Sequence, residues 1–506
     1  MILDCTLRDG GYYTSWDFDK KLVDNYLYAI NKLPINIIEV GYRSESKKDY
    51  LGEYYYCPNH VLKYLRKYCN KKIAIMFNEK DVNPGMAAEL LEGCDMIDIV
   101  RIAVDPVNYF RALELAKSIK KRGFEVALNL MYMSKWNQYT DFMNAIHLAN
   151  ECCDYFNIVD SYGGVYPEEV AEITKDVCSE LSIPVGFHGH NNLELGLINS
   201  LTAIDNGAKI IDATITGMGR GAGNLKTELL LTALNSRGEL QVDFNVLGDI
   251  VSQFEKLKLI YGWDTNLPYM IAGANSFPQG EVMEWVSNRF YSYNSIIRSL
   301  QNKKDGKSDN EKLPLFLKRK KVKSVLIIGG GPSAFKHSHS IIEYLKQNDE
   351  IVIVHASSKN AKPFRHIGNE QIFCLVGNEG RRMEDVFSDL KGLKATCVLP
   401  PFPRKMGTYI PKIIRSSCFE LAKITFTDTL LDTHTSIALQ AAIDIGANKI
   451  FLAGYDGYTK NVSELEISLS KENNHLFDQV KKYLNLVSLF PTAYGIKVES
   501  LYSKYE

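Results

Sequence analysis

IPVGFHGHNNLELG, residues 183–196, is a short apolar run that ends in two histidines one residue apart and leads into a polar turn. In an extended chain residues i and i+2 point to the same side, so His188 and His190 would face one space. Seven other apolar runs recur at a regular beat, at 2–7, 35–41, 72–77, 96–104, 125–133, 155–160 and 209–217. Between them lie segments with helical spacing, such as NYFRALELAKSIKKRG (108–123) and PEEVAEITKDVCSEL (167–181), each long enough for a right-handed crossover. Eight strand–helix units over residues 1–235 predict a (β/α)8 TIM barrel, whose chemistry sits at the carboxyl ends of its strands. A doubly wound open sheet is the alternative with the same periodicity.

Residues 236–300 lose the strand beat and read as a helical cap or dimerisation extension, from which a homodimer is expected. The charged run QNKKDGKSDNEK opens a linker, 301–320. SVLIIGGGPSAFKHSHSIIEYLK (324–346) then begins a second α/β unit, expected as a smaller doubly wound Rossmann-like domain over 321–506. Its further strands are expected at EIVIVHA, QIFCLVG, ATCVLP, AKITFT and KIFLAGYD.

The 506 residues carry 59 Lys+Arg against 60 Asp+Glu, so no global field attracts nucleic acid or an anionic membrane. MILDCTLRDGG lacks the pattern of a secretory signal, and no run approaches the ~20 apolar residues that span a bilayer. Ten scattered cysteines without a CxxC pair fit neither a zinc ribbon nor a disulfide framework, which makes a reducing cytoplasm the simplest setting.

Read alone, the HGH pair is equally a core histidine beside a surface one and half of a metal site. Its neighbours in a closed barrel favour the metal. Strand 8 lies between strands 7 and 1, which gathers TLRDGG (6–11), GFHGH (186–190) and the glycine loop GMGRGAGN (217–224). Asp9, His188, His190 and the amide oxygen of Asn224 then converge on one cation, beside the fixed charge of Arg8. Nitrogen and oxygen donors suit Mn2+ or Mg2+ first, with Co2+ and Zn2+ as alternatives.

DCTLRDGG (4–11), IIEVGY (37–42), VRIAV (100–104), VDSYGGVYP (159–167), GFHGHNNLELG (186–196) and GMGRGAGNLKTE (217–228) together resemble the DRE-TIM metallolyases. That group includes hydroxymethylglutaryl-CoA lyase, 4-hydroxy-2-oxovalerate aldolase and the isopropylmalate synthases. The resemblance implies a divalent metal on Asp9, His188 and His190, with Asn224 as a further or supporting ligand. It also implies Arg8 beside an enolate oxygen and Glu39 as the buried acid that orients Arg8. The expected activity is an aldolase or lyase that makes or breaks a carbon–carbon bond through a pyruvate-type enolate, acting on a 2-oxo acid and an aldehyde. An acyl-CoA condensing synthase and a noncatalytic nucleotide-binding protein are the alternatives. Where the aldolases have a histidine three places after the ligating aspartate, this chain has Tyr12, read as a proton carrier or, with Tyr13, as an aromatic wall. The lyase's reactive cysteine has no counterpart in GMGRGAGN. Arg101, Ser161 and Tyr162 are candidate contacts for a substrate carboxylate.

In the second unit, GGGPSA (329–334) fits a loose G-x-G-x-x-A turn after a buried strand, making Gly329, Gly331, Pro332 and Ser333 candidates for holding the phosphate of a nucleotide or nucleotide-sugar. The run EIVIVHASSK ends without the acid that an NAD ribose requires. This end of the chain and TSIALQAAIDIGANKIFLAGYDGY (435–458) resemble Maf/MptE-like and sialyltransferase-like domains. The pairing of domains points to a nucleotide-linked substrate, as in surface-polysaccharide precursor synthesis.

Overall fold

Eight parallel strands close on themselves in the order β1 (Ile2–Asp4), β2 (Ile37–Tyr42), β3 (Lys72–Asn78), β4 (Ile99–Val104), β5 (Glu125–Leu130), β6 (Tyr155–Asp160), β7 (Val185–Gly189) and β8 (Ile210–Ala213). The ring shuts where Ile2 pairs with Ile211 and Asp4 with Ala213. The expected barrel is present, with every strand inside or overlapping its apolar run. The computed structural model describes residues 1–287, 291–309, 311–317, 322–404, 407–459 and 462–505.

Alternation along the strands builds the interior in layers. Leu3, Ile37, Ala74, Ile99, Ala127 and Ile210 form an apolar plug. Two residues on, Glu39, Arg101, Asn129 and Asp212 are buried and polar, because the i+2 positions of the same strands face the same axis. Side chains on the outer face of the strands pack into the large cluster shared with the surrounding helices.

The chain divides at Met1–Glu284 and Trp285–Glu506. This boundary falls inside the segment expected as a single extension. The helices Phe244–Tyr261 and Leu267–Ala274 belong to the barrel unit, whereas Tyr293–Lys304 belongs to the second, where Arg298 donates to Asn378 Oδ1 at 3.2 Å. The expected linker is also tied down in part. Asp309 is buried against Arg404 at 2.8 Å, and Leu315 bridges Glu420. One buried ion pair anchors a run whose composition carries no apolar signal; the end of that linker, 318–320, and residue 321 lie outside the described residues.

The second unit holds one parallel sheet built from β9 (Ser324–Ile328), β10 (Val352–His355), β11 (Gln371–Cys374), β12 (Thr396–Leu399), β13 (Cys418–Glu420), β14 (Lys449–Ala453), β15 (Asn485–Ser488) and β16 (Lys497–Val498). The spatial order is β13-β12-β11-β10-β9-β14-β15-β16. Val325 and Ile327 pack with the helix His434–Asp444 on one face, and Leu326 and Ile328 pack with Ser338–Lys346 on the other. AKITFT (422–427) is not a strand. CFE just before it pairs with β12, and Thr425 instead donates its N–H to Gln440 Oε1 at 2.7 Å.

Candidate active site

Asp9 lies in the helix Thr6–Thr14, which starts two residues after β1 and brings Arg8 and Asp9 over the barrel mouth. His188 is on β7 and His190 one residue beyond it. Asn224 is delivered by the glycine loop, which doubles back so that His190 and Asn224 form an antiparallel bridge. The loop needs its glycines: Gly223 has φ +80, and a Cβ there would sit 2.2 Å from the Gly217 carbonyl oxygen.

Asn224 Nδ2 donates to Asp9 Oδ2 at 2.7 Å, and His188 Nε2 lies 3.8 Å from the same oxygen. Arg8 pairs with Asp9 and donates through Nε to Glu39 Oε2 at 2.7 Å. The His188 and His190 ring centroids are 5.0 Å apart. Arg8, Asp9, Tyr12, His188 and His190 line one cavity of about 490 Å³, and Gln279 closes part of its mouth from the segment expected as a cap. Glu39 sits beneath, fully buried.

Each imidazole is oriented from behind. His188 Nδ1 lies 2.9 Å from Asp212 Oδ2, and His190 donates through Nδ1 to the Asp160 carbonyl oxygen at 2.8 Å. Those bonds place the ring proton on Nδ1 and leave Nε2 with its lone pair, the arrangement that metal-ligating histidines take from outer partners. Burial above all pushes His190 down to about 3, so it is neutral near pH 7. Burial alone would raise Asp9; the Arg8 charge and the Asn224 hydrogen bond hold it below the ordinary aspartate range.

The residues fit a cation. Asn224 Oδ1 is buried with no hydrogen-bond partner, the state of an amide oxygen suited to a ligand. Asp9, Glu39 and Asp212 face Arg8 and Arg101, so the acidic groups around the cavity floor outnumber the two arginines paired with them. Cys5 Sγ falls with Asp9 and His188 in one group of potential donor atoms within 4.8 Å; His190 is outside that group. Burial pushes the Cys5 thiol well up, and it donates to Asp9 Oδ2 at 3.4 Å, so Cys5 is a hydrogen-bond donor to a ligand and not a thiolate.

Arg101 does not reach a substrate carboxylate. It is fully buried, with Nη2 2.5 Å from Asp212 and Nη1 3.2 Å from Glu39. Ser161 and Tyr162 do line the cavity, Ser161 Oγ accepting from the Tyr132 N–H at 2.8 Å. Tyr12 shares a hydrogen bond with Tyr42, oxygen to oxygen 3.0 Å, and the Arg220 guanidinium stacks 4.1 Å above its ring. Tyr13 is turned toward the glycine loop, donating to Gly221 O at 3.1 Å. Asp160, Asp212, Tyr42 and Arg220 escaped the sequence reading. Only Asp212 had a usable signal, being two residues after the inward Ile210.

In the second unit the turn after β9 is present, but Ser333 N–H, where a phosphate was expected, donates to Asp456 Oδ2 at 3.2 Å. The carbonyls of Gly329 and Gly331 both accept from Asn360 Nδ2 at 2.9 Å, and Pro332 opens a helix of only five residues, Pro332–Lys336. The chain's own carboxylate fills the place of the anion.

The HMGL-like family profile matches residues 93–253. 4-Hydroxy-2-oxovalerate aldolase 2 of Rhodococcus jostii (strain RHA1) is 31% identical over 243 residues, covering 47% of this chain and 69% of the relative. The chain belongs to the HMGL-like, DRE-TIM superfamily. Another relative within reach of this HMGL-like barrel is oxaloacetate decarboxylase of Mycobacterium tuberculosis (strain ATCC 25618 / H37Rv), 26% identical over 250 residues, covering 47% of this chain and 71% of that one. Among solved structures, the N-terminal domain of a candidate aldolase from Bacteroides vulgatus is 56% identical, with a TM-score of 0.56 and coverage of 59% of this chain and 99% of that one. Among the described residues no helix of this HMGL-like chain is long and apolar enough to cross a membrane.

Asp160 and His190 set opposite pH dependences. Burial raises Asp160 to about 6, so its contribution to stability is present below its ordinary 3.8 and lost as pH rises through 6. His190 is depressed, so its contribution is present above about 6.5 and lost as pH falls toward 3. The two slopes offset between pH 4 and 6. In metal-free protein, urea unfolding of Asp160→Asn should therefore show a cost relative to wild type that shrinks by roughly 2 kcal/mol from pH 4 to pH 6, the slope of about 1.4 kcal/mol per unit being reached only between the two pKa values. A cost constant over that range would exclude the raised Asp160.

Proposed function

We propose that this chain is a divalent-metal-dependent carbon–carbon lyase that works through a pyruvate-type enolate. The observation that carries this reading is the convergence of Asp9, His188 and His190 at a cavity that Arg8 also lines, with Asn224 bonded to Asp9 and its own oxygen unpartnered. Both relatives' names denote cleavage beside a 2-oxo acid, and both cleavages leave the same enolate.

Asp9, His188, His190 and Asn224 would hold the ion, which would supply Lewis acidity to a bound 2-oxo acid. Arg8, held in place by Glu39, sets a second positive charge against the developing enolate oxygen. In the direction of addition, the enolate carbon attacks the aldehyde carbon and the aldehyde oxygen becomes an alkoxide. Tyr12 gives its phenolic proton to that alkoxide, and Tyr42 hydrogen-bonds the phenolate left behind. The phenolate then takes a proton from the methyl group of the next 2-oxo acid, which restores Tyr12 and forms the next enolate. Cleavage runs these transfers backward.

We assign the second unit's sheet to the Rossmann-like class on its strand order, in which the chain leaves β9 to one side and returns through β14 to the other. The nucleotide expected at its glycine turn is not carried into this reading, because Asp456 already occupies the Ser333 amide.

Incubating the protein with pyruvate in D2O tests the lyase reading. Deuterium should enter the methyl group with Mn2+, Mg2+, Co2+ or Zn2+ added and should not enter in EDTA. Exchange equal in EDTA, or absent with all four ions, would overturn it.

A further inference from the structure

The cations on the cavity wall are not equivalent. Arg8 is neutralised by Asp9 and Glu39, whereas Arg220 and Lys80 form no ion pair among the described residues. Arg220 stands on the glycine loop, half-buried, with its planar group stacked on Tyr12. Stacking covers one face of the guanidinium, Tyr12 engages part of its edge, and the remaining in-plane N–H donors are available for a carboxylate or phosphate. A cation withdrawn from water without a counter-ion is costly, and an anionic ligand removes that cost.

The cavity is also larger than the substrate named by the aldolase relatives. At about 30 Å³ per water-sized group, 490 Å³ accommodates about sixteen such groups, against the nine or so non-hydrogen atoms of 4-hydroxy-2-oxovalerate. The wall beyond the metal ligands carries Asn78, Asn108 and Gln279, amides that match hydroxyl groups in both donor and acceptor roles. A short neutral aldehyde would leave the Gln279 amide oxygen, which is buried without a partner, and the Arg220 charge unmatched.

Resting on the enolate chemistry above, we propose that Arg220 selects an acceptor aldehyde that bears its own oxyanion, a carboxylate or a phosphate, on a short hydroxylated chain. The oxyanion pairs with the guanidinium while the aldehyde carbon faces the enolate beside Tyr12. Arg220 is then a specificity residue of the acceptor half of the site, distinct from Arg8, which serves the 2-oxo acid half.

The test uses the full chain with Mn2+ and pyruvate and compares glyceraldehyde 3-phosphate with glyceraldehyde, and succinic semialdehyde with butanal. At least one charged acceptor should exceed its neutral counterpart in kcat/KM by about 10- to 100-fold, the pair that does so telling phosphate from carboxylate. R220Q should lose this preference and R220K should keep part of it. Deuterium exchange into pyruvate is read on the same samples, and R220Q should lose at least about tenfold more against the charged acceptor than in exchange. Equal use of charged and neutral acceptors by the wild type overturns the proposal, as does exchange falling as far as the acceptor reaction, which would place Arg220 on the 2-oxo acid. A wild type that exchanges no deuterium overturns the enolate reading and this proposal together.

Discussion

Replacing His188 with alanine is expected to lower turnover at least about a thousandfold, since a bound ion contributes several kcal/mol to the developing charge and each 1.4 kcal/mol is about tenfold in rate. The variant removes the imidazole that lies between Asp212 and Asp9, and with it the only nitrogen donor within 4.8 Å of Asp9 in the donor group found among the described residues. Metal analysis after gel filtration should show the ion bound to wild type and missing from the variant. Loss of the ring also leaves Asp212 with Arg101 as its remaining partner, so the barrel should stay folded. A variant that keeps both its metal and its rate would exclude His188 as a ligand.

Arg101→Met is expected to cost about 3–5 kcal/mol of stability, the range for removing one partner of a buried charge pair. The guanidinium spans two fully buried carboxylates, Glu39 and Asp212, and methionine fills a similar volume without their charge. The consequence goes beyond unfolding. Arg101, together with the His188 bond, holds Asp212 down to about 2 against a burial effect that would raise it, so without Arg101 the acid that orients His188 moves toward its neutral form. Urea denaturation measures the loss. A midpoint unchanged from wild type would show that the network is not a support for the site.

The barrel and the placing of its candidate ligands at one mouth were legible because both depend on short-range pattern. Apolar runs fixed the strands, and the i, i+2 spacing of His188 and His190 needs only the pleat of one strand. Asp9 and Asn224 were legible once closure of β8 on β1 was assumed. The supporting groups were not, because their roles exist only across the barrel. Asp212 meets His188 from the adjacent strand, and Arg101 meets Glu39 from two strands away, so no window of sequence contains either pair. In the second unit the glycine turn read correctly as a turn, but the sequence did not show that the Ser333 N–H bonds the chain's own Asp456. That residue arrives from a loop 123 positions later. The edge strand β13 was displaced by a few residues because AKITFT has the better strand composition, yet CFE has the partner.

The hydrogen bond between Asn224 and Asp9 joins residues 215 positions apart. During synthesis the first of these leaves the ribosome long before the second, and Asp9 must wait for the glycine loop to bring Asn224. An ion taken up by the proposed donor set would join the first helix to the final loop across the seam where β8 meets β1. Metal supply would then affect the yield of closed barrel as well as the speed of the finished enzyme.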